Sequence, residues 1–334
     1  MQKKDIKNFT IEELKEELGR LSEASYRVNQ IFEWMYKRGA RSFDEMSTLP
    51  KSLRDKLGRV FSLGGVKLKE RLKSTDGTEK FLFELEDASL IESVLIPSSS
   101  RKTICLSTQA GCKFGCAFCA SGLKGFKRDL SPSEILDQIL LVGAEVTNFV
   151  FMGMGEPLDN FENLKKAIEI MNSPLGMGVG ARRITVSTCG IIPGIKRFKE
   201  IDLQVNLSIS LHAANNKLRS SLMPVNKTYP LEELIAACDD FSGRMITLEY
   251  ILIKDKNDSP EDVDELSHIA KKLKAKINLI PYSPVHGKRF KAPTMKDIEL
   301  FQKRLVKNSI NVTLRESKGK DILAACGQLA MKNS

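Results

Sequence analysis

The stretch GCKFGCAFCASG at residues 111–122 places Cys112, Cys116 and Cys119 in a Cys-x3-Cys-x2-Cys pattern, with small and aromatic residues between the thiols. Three thiolates on one short loop can hold three corners of a cubane 4Fe-4S cluster, leaving the fourth iron without a protein ligand and open to chemistry. The alternative is structural zinc, which usually takes four ligands from two paired Cys-x2-Cys halves. No second half occurs in this chain.

The same loop orders the fold, because it follows a short apolar strand, TICLST (103–108), and precedes a well-marked helix. Ser131 is the expected N-cap there, Pro132 fits the first position and Glu134 completes a capping box. Strands and helices then alternate: NFVFMG, FENLKKAIEIM, RITVST, VNLSISL, ITLEYILI and INLIPY, with VTLRES (312–317) as a last strand. Such repetition implies an α/β fold with a parallel sheet and helices outside it. About six units make a partial (β/α)6 barrel over residues 99–334, with ligands at the carboxyl ends of the strands.

Upstream, residues 1–62 read as a small helical accessory module. Thr10 and Glu13 form a capping-box pattern, Val28, Ile31, Phe32 and Met35 recur at helical spacing, and Pro50 fits the first turn of a helix through KSLRDKLGRVF. Its Lys and Arg residues are candidates for RNA phosphate contacts, although solvated helix faces are the commoner role of such charges. Residues 63–98 change to a period of two. VKLKERLKS, the Asp76-Gly77 turn and KFLFEL predict a hairpin, and SLIESVLIP adds a third linking strand.

With 334 residues, 42% of them hydrophobic, the chain can bury a sizeable core. A formal net charge of +10 favours an anionic partner. Seven cysteines do not resemble a disulfide framework and point to a reducing cytosol. The N-terminal MQKKDIKNFT lacks an apolar core segment and no run is long enough to span a bilayer, so a cytoplasmic protein without membrane contact is expected.

The cysteine spacing at a strand end resembles the signature of the radical S-adenosylmethionine enzymes. Further motifs narrow the resemblance: MGMGEPL (152–158), STCGIIPGI (187–195), SLHA (210–213), RSSLMPVN (219–226) and AACGQLA (324–330), with RVNQIF and LPKSLR near the N-terminus. Together they resemble the RlmN family of dual-specificity RNA methyltransferases over nearly the whole chain. The resemblance implies methylation at C2 of an adenine in 23S rRNA and of the adenine beside the anticodon in tRNA. The sister Cfr family, which methylates C8 of the ribosomal adenine, shares most of these motifs. Pro157 in MGMGEPL, where Cfr-type sequences tend to carry Ala, leans toward C2, and C8 remains the alternative. A non-catalytic RNA-binding iron-sulfur redox sensor is a third reading, which the intact cofactor motifs argue against.

The resemblance also implies roles. Cys112, Cys116 and Cys119 hold the 4Fe-4S cluster, whose open iron chelates S-adenosyl-L-methionine. Gly155, Glu156, Ser187, the Ser210-Leu211-His212 triplet and Ser283 are the cofactor-binding positions. Cys326 accepts a methyl group, a 5′-deoxyadenosyl radical removes hydrogen from the S-methyl, and the carbon radical adds to the base. Cys105 then attacks the Cys326 sulfur and leaves a disulfide. Glu92 matches the family's proton acceptor, with Cys105 as the alternative base. A flavodoxin or ferredoxin is the implied type of electron donor, and a monomer is expected.

Two segments depart from the family pattern. IPYSP carries Ser283 where the family usually has Asn, and GKDILAAC carries Lys320 and Leu323 where acidic residues are common. Cys189 and Cys238 match no catalytic position and are assigned to packing. The basic loop VHGKRFKAP (285–293), with one aromatic, is a further candidate for RNA contact.

Overall fold

The computed structural model describes residues 3–123, 125–143, 145–239, 241 and 245–329. One ten-stranded sheet organises the chain, and its strands lie side by side in sequence order. In that order they are β1 (Lys67–Lys73), β2 (Glu79–Glu84), β3 (Leu90–Pro97), β4 (Lys102–Cys105), β5 (Asn148–Phe151), β6 (Ile184–Thr188), β7 (Asn206–Ser210), β8 (Ile246–Leu252), β9 (Lys276–Pro281) and β10 (Val312–Leu314). From β4 to β10 every neighbouring pair is parallel. The six expected parallel strands are present, and VTLRES supplies the seventh.

Helices join these strands, as the alternation predicted. Pro132–Val142 follows β4, Phe161–Asn172 follows β5, Ile192–Phe198 follows β6, Leu231–Asp239 follows β7, Pro260–Lys272 follows β8 and Met295–Lys307 follows β9. Their starts are written locally. The Ser131–Glu134, Ser259–Asp262 and Thr294–Asp297 capping boxes all close reciprocally.

The strands of residues 63–98 are not a separate linker. β3 pairs antiparallel with β4, and β1, β2 and β3 continue the barrel sheet. Phe81 and Phe83 on β2 are fully buried and stacked at 6.2 Å, and each such ring contributes about 1.5–3 kcal/mol by leaving water. The turn between β1 and β2 uses Gly77 at φ +83°. It receives the far end of the chain: Ser74 Oγ donates to Asp321 at 2.6 Å and Gly319 N donates to Asp76 at 2.9 Å. Residues after β10 thereby reach back to the opposite edge of the sheet.

The N-terminal module contains Ile11–Arg20, Arg27–Phe32 and Lys51–Val60. Val28, Ile31, Phe32 and Met35 are all buried, but the helix widens into a π turn over Glu33–Lys37. The third helix starts at Lys51, with Pro50 as its N-cap. The module is clamped to the barrel by a buried Lys7–Asp137 ion pair and by Ser133 N donating to Asn8 at 2.9 Å.

Parallel strands in a barrel present one face to the helices and one to the interior. On β7, Leu207 and Ile209 face the helices, while Asn206, Ser208 and Ser210 line interior cavities; on β8, Thr247, Glu249 and Ile251 do the same. The lumen is therefore polar along much of its length.

Candidate active site

Two connected cavities occupy the barrel. The deeper one lies at the carboxyl ends of the strands and is lined by Cys112, Cys116 and Cys119 together with Gly155, Glu156, Ser187, Ser210 and His212. Residues that are far apart in sequence thus meet at one place. The wider one runs along the lumen and includes Cys105, Ser208, Asn278 and Lys276. Cys119, Glu249, Arg315 and Cys326 line both.

Burial pushes the Cys112 thiol up to about 11 and raises Cys116 and Cys119 as well, and the neighbouring thiols reinforce this for Cys112 and Cys116. Without a cation they are held as thiols; a bound iron cluster is what would make them thiolates. Among the described residues no three His, Cys, Asp or Glu side chains converge as ligands of a single ion. A cubane takes each thiolate on a different iron, so three thiols on one loop around a shared cavity fit it.

Glu156 is buried, and burial raises its carboxyl above the usual range. It accepts hydrogen bonds from Leu158 N at 3.0 Å and Cys189 N at 2.7 Å. The turn that carries it needs glycine at 155, where φ is +95° and a Cβ would stand 2.5 Å from Gln109 Cβ. Gln109 in turn accepts from Glu156 N at 2.8 Å and donates to Asp159 at 2.9 Å, tying this turn to the residues before the cysteine loop. Ser187 and Ser210 face each other with hydroxyls 3.3 Å apart. His212 takes a left-handed backbone at φ +60°. Its Nδ1 accepts from Ile251 N at 3.1 Å, so its proton lies on Nε2. Burial first, then Arg219, holds it neutral with a pKa lowered to about 3.

Two expected cofactor positions are placed differently. Leu211 is buried and lines neither cavity; its carbonyl instead accepts from Arg219 Nε at 3.2 Å. Ser283 also lines neither cavity, and its buried hydroxyl has no hydrogen-bond partner. Cys238 packs in the core as expected, but Cys189 does more: it lines the deeper cavity and its N–H holds Glu156.

Cys105 ends β4, with its thiol pushed up to about 12 by burial and by Cys326. Cys326 and Cys105 face the same wider cavity, and all seven cysteines are free, so no disulfide joins them. The Cys326 segment is anchored on the cluster loop: Ala120 N donates to Gly327 O at 2.7 Å, and Gln328 Nε2 donates to Pro284 O at 2.8 Å. Ala330, the last residue of that motif, lies outside the described residues. Glu92 is buried against Lys80 at 3.4 Å and lines neither cavity. Lys80 also donates to Leu323 O at 3.4 Å, so the pair supports the Cys326 segment from behind. Lys320 is exposed, and docking passes instead through Asp321. In the basic loop, Phe290 packs edge-on against Tyr282 at 5.9 Å, so it is already occupied.

Arg219 opens the RSSLMPVN segment. It is fully buried and its guanidinium donates to Cys189 O and Asn226 Oδ1, both at 2.7 Å, as well as to Leu211 O. It therefore fixes two strand-end loops of the cofactor cavity relative to each other. Arg219→Leu is expected to lower folding stability by about 3 kcal/mol or more, since several buried acceptors lose their donor. A urea midpoint equal to that of the unmodified protein would refute this.

The sequence profile of the radical SAM superfamily matches residues 106–268, and that of the ribosomal RNA large subunit methyltransferase N-terminal domain matches residues 4–63. A probable dual-specificity RNA methyltransferase RlmN of Akkermansia muciniphila is 46% identical over 92% of this chain and 90% of its own. A dual-specificity RNA methyltransferase RlmN of Syntrophus aciditrophicus is 43% identical over 99% and 98%. The crystal structure of a radical SAM methyltransferase from Sphaerobacter thermophilus superposes with a TM-score of 0.94 at 41% identity, covering 98% of this chain and 99% of the other.

Proposed function

We propose, from the premise that this chain belongs to the RlmN family of radical S-adenosylmethionine RNA methyltransferases, that it methylates C2 of an adenine in 23S rRNA and of the adenine beside the tRNA anticodon. The observation that carries this reading is the position of Cys326, which lines both the cavity of the cluster cysteines and the wider chamber that holds Cys105. A sensor would need neither thiol, and the relatives carry RlmN names, so the Cfr-type and sensor readings are set aside.

When bound, the 4Fe-4S cluster and S-adenosylmethionine would supply a 5′-deoxyadenosyl radical and, from a separate molecule, a methyl group. Cys112, Cys116 and Cys119 would hold the cluster. Glu156, fixed by two backbone donors, would face the amino end of the cofactor, with Ser187, Ser210 and His212 along the same cavity. Cys326 would take the methyl group on sulfur and present the S-methyl carbon to the base. After the S-methyl has lost a hydrogen atom to the 5′-deoxyadenosyl radical and bonded to C2, and the adduct has given up one electron and the ring proton, the Cys105 thiolate would attack the Cys326 sulfur. The S–CH2 bond breaks, the released carbon takes a proton to become the methyl group, and a disulfide forms. Of the two candidate bases, Cys105 lines the wider chamber and Glu92 is buried against Lys80 without lining either cavity; whichever group takes the ring proton, Cys105 must be a thiolate when it attacks the Cys326 sulfur. Among the described residues no helix is long and apolar enough to cross a membrane. Two thiols that must be regenerated each cycle fit a reducing cytoplasm with an external donor such as a flavodoxin or ferredoxin.

Reconstituted protein given reductant, S-adenosylmethionine and a hairpin RNA with the target adenine is expected to yield 5′-deoxyadenosine and 2-methyladenosine by nucleoside mass spectrometry. 8-Methyladenosine would overturn the regiospecificity, and absence of both products would overturn the enzyme assignment.

A further inference from the structure

Among the described residues, Glu249 is the one carboxylate that lines both cavities. It sits on β8 one inward step below Ile251 and is 3% exposed. One oxygen, Oε1, accepts from Asn278 Nδ2 at 3.2 Å. The other, Oε2, is buried and has no hydrogen-bond partner. A buried carboxylate oxygen left without a donor is costly, and in a folded protein it calls for a ligand that completes it. Burial raises the Glu249 carboxyl against the opposing influence of Arg315, the Asn278 bond and the nearby Ser208 hydroxyl.

The surroundings say which ligand. Arg315 feels Cys326, Glu249 and Cys105 together, so these groups face one guanidinium. Glu249 pairs in register with Ser210 on β7 and so reaches the cofactor-matched layer as well. Its open oxygen stands where that cavity meets the wider chamber, and Arg315 and Cys326 line both with it. An ionised carboxylate only accepts hydrogen bonds. On the edge of adenine that contains C2, the 6-amino group is the one donor, whereas guanine presents a carbonyl oxygen at that position, which a carboxylate repels.

We propose that Glu249 is a specificity-determining residue whose Oε2 accepts a hydrogen bond from the 6-amino group of the target adenine, extruded from its stack into the chamber beside Cys326. The assignment rests on the adenine methylation proposed above. It explains how a polar lumen chooses a base, because the amino group anchored on Glu249 sets C2, two ring atoms away, at a fixed place before the Cys326 methyl.

The test compares two hairpin RNAs that differ only at the target position, one with adenine and one with purine, in which hydrogen replaces the amino group. The unmodified enzyme is expected to lose about 10–100-fold in kcat/KM on the purine RNA, the loss typical of a hydrogen bond to a charged group. Glu249→Gln is expected to lose a comparable factor on adenine and to treat the two RNAs within about twofold of each other. Equal kcat/KM of the unmodified enzyme for both RNAs would overturn the assignment without using a variant, as would a Glu249→Gln enzyme that keeps the full adenine preference. Methylation of neither RNA by the unmodified enzyme would overturn the adenine reading itself and this assignment with it.

Discussion

Cys326→Ala is expected to lower RNA methylation by about 10^4-fold or more, as loss of a covalent carrier does, while the cluster absorbance and iron content stay unchanged. The effect should be chemical, because the bonds that dock this segment do not use the thiol. Ala120 N to Gly327 O and Gln328 to Pro284 O are made by the neighbours of Cys326. The Lys80 contact to Leu323 O holds the approach to it, and Asp321 fastens the segment to the turn between β1 and β2. Removing one sulfur therefore leaves the loop seated and removes only the atom that carries the methyl group. Methylation above about one-hundredth of the normal rate would refute the carrier role.

Cys105→Ala is expected to stop the cycle one step later, with RNA attached to the protein. Cys105 and Cys326 line the same chamber, and Cys326 lies close enough to help raise the Cys105 thiol. Without Cys105 the Cys326 sulfur has no thiol to attack it, so the covalent RNA adduct should accumulate as a slow band on a denaturing gel. Digestion and mass spectrometry should locate the link at Cys326. The substitution itself is mild, because Ala keeps the small apolar character of a buried strand end at a cost of about 1 kcal/mol. Release of free methylated RNA at the normal rate, with no adduct, would refute the resolving role.

The helical starts were legible because capping is a contact between residues three apart: Thr10 with Glu13, Ser131 with Glu134. The strands were legible from short apolar runs. The three residues SLH were less so. A motif match treats Ser210, Leu211 and His212 alike, but β7 ends at Ser210, and the chain beyond it buries Leu211 in the core with its carbonyl on Arg219. Ser283 shows the same limit, since its neighbours in sequence suggested a cofactor contact and its buried hydroxyl faces neither cavity.

Glu249 was not legible at all. It lies in ITLEYILI, where one acidic residue among apolar ones carries no signal of spacing, and its meaning depends on Asn278, Arg315 and Cys326 from other strands and the C-terminal segment. Arg219 is similar, because the carbonyls it holds come from two different strand-end loops.

The sequence by itself determined the cluster-binding loop, the order of strands and helices, and the family, because each is encoded in residues close together in the chain: thiols with three and two residues between them, caps, and apolar periods. Only the tertiary structure decided which groups share a cavity. It brought Cys326 to the chamber of Cys105 across more than half the chain, buried Glu92 against Lys80, and left Glu249 Oε2 without a hydrogen-bond partner. Those outcomes depend on how parallel strands stack in register around a lumen, and register between distant strands is settled by packing rather than by any local pattern.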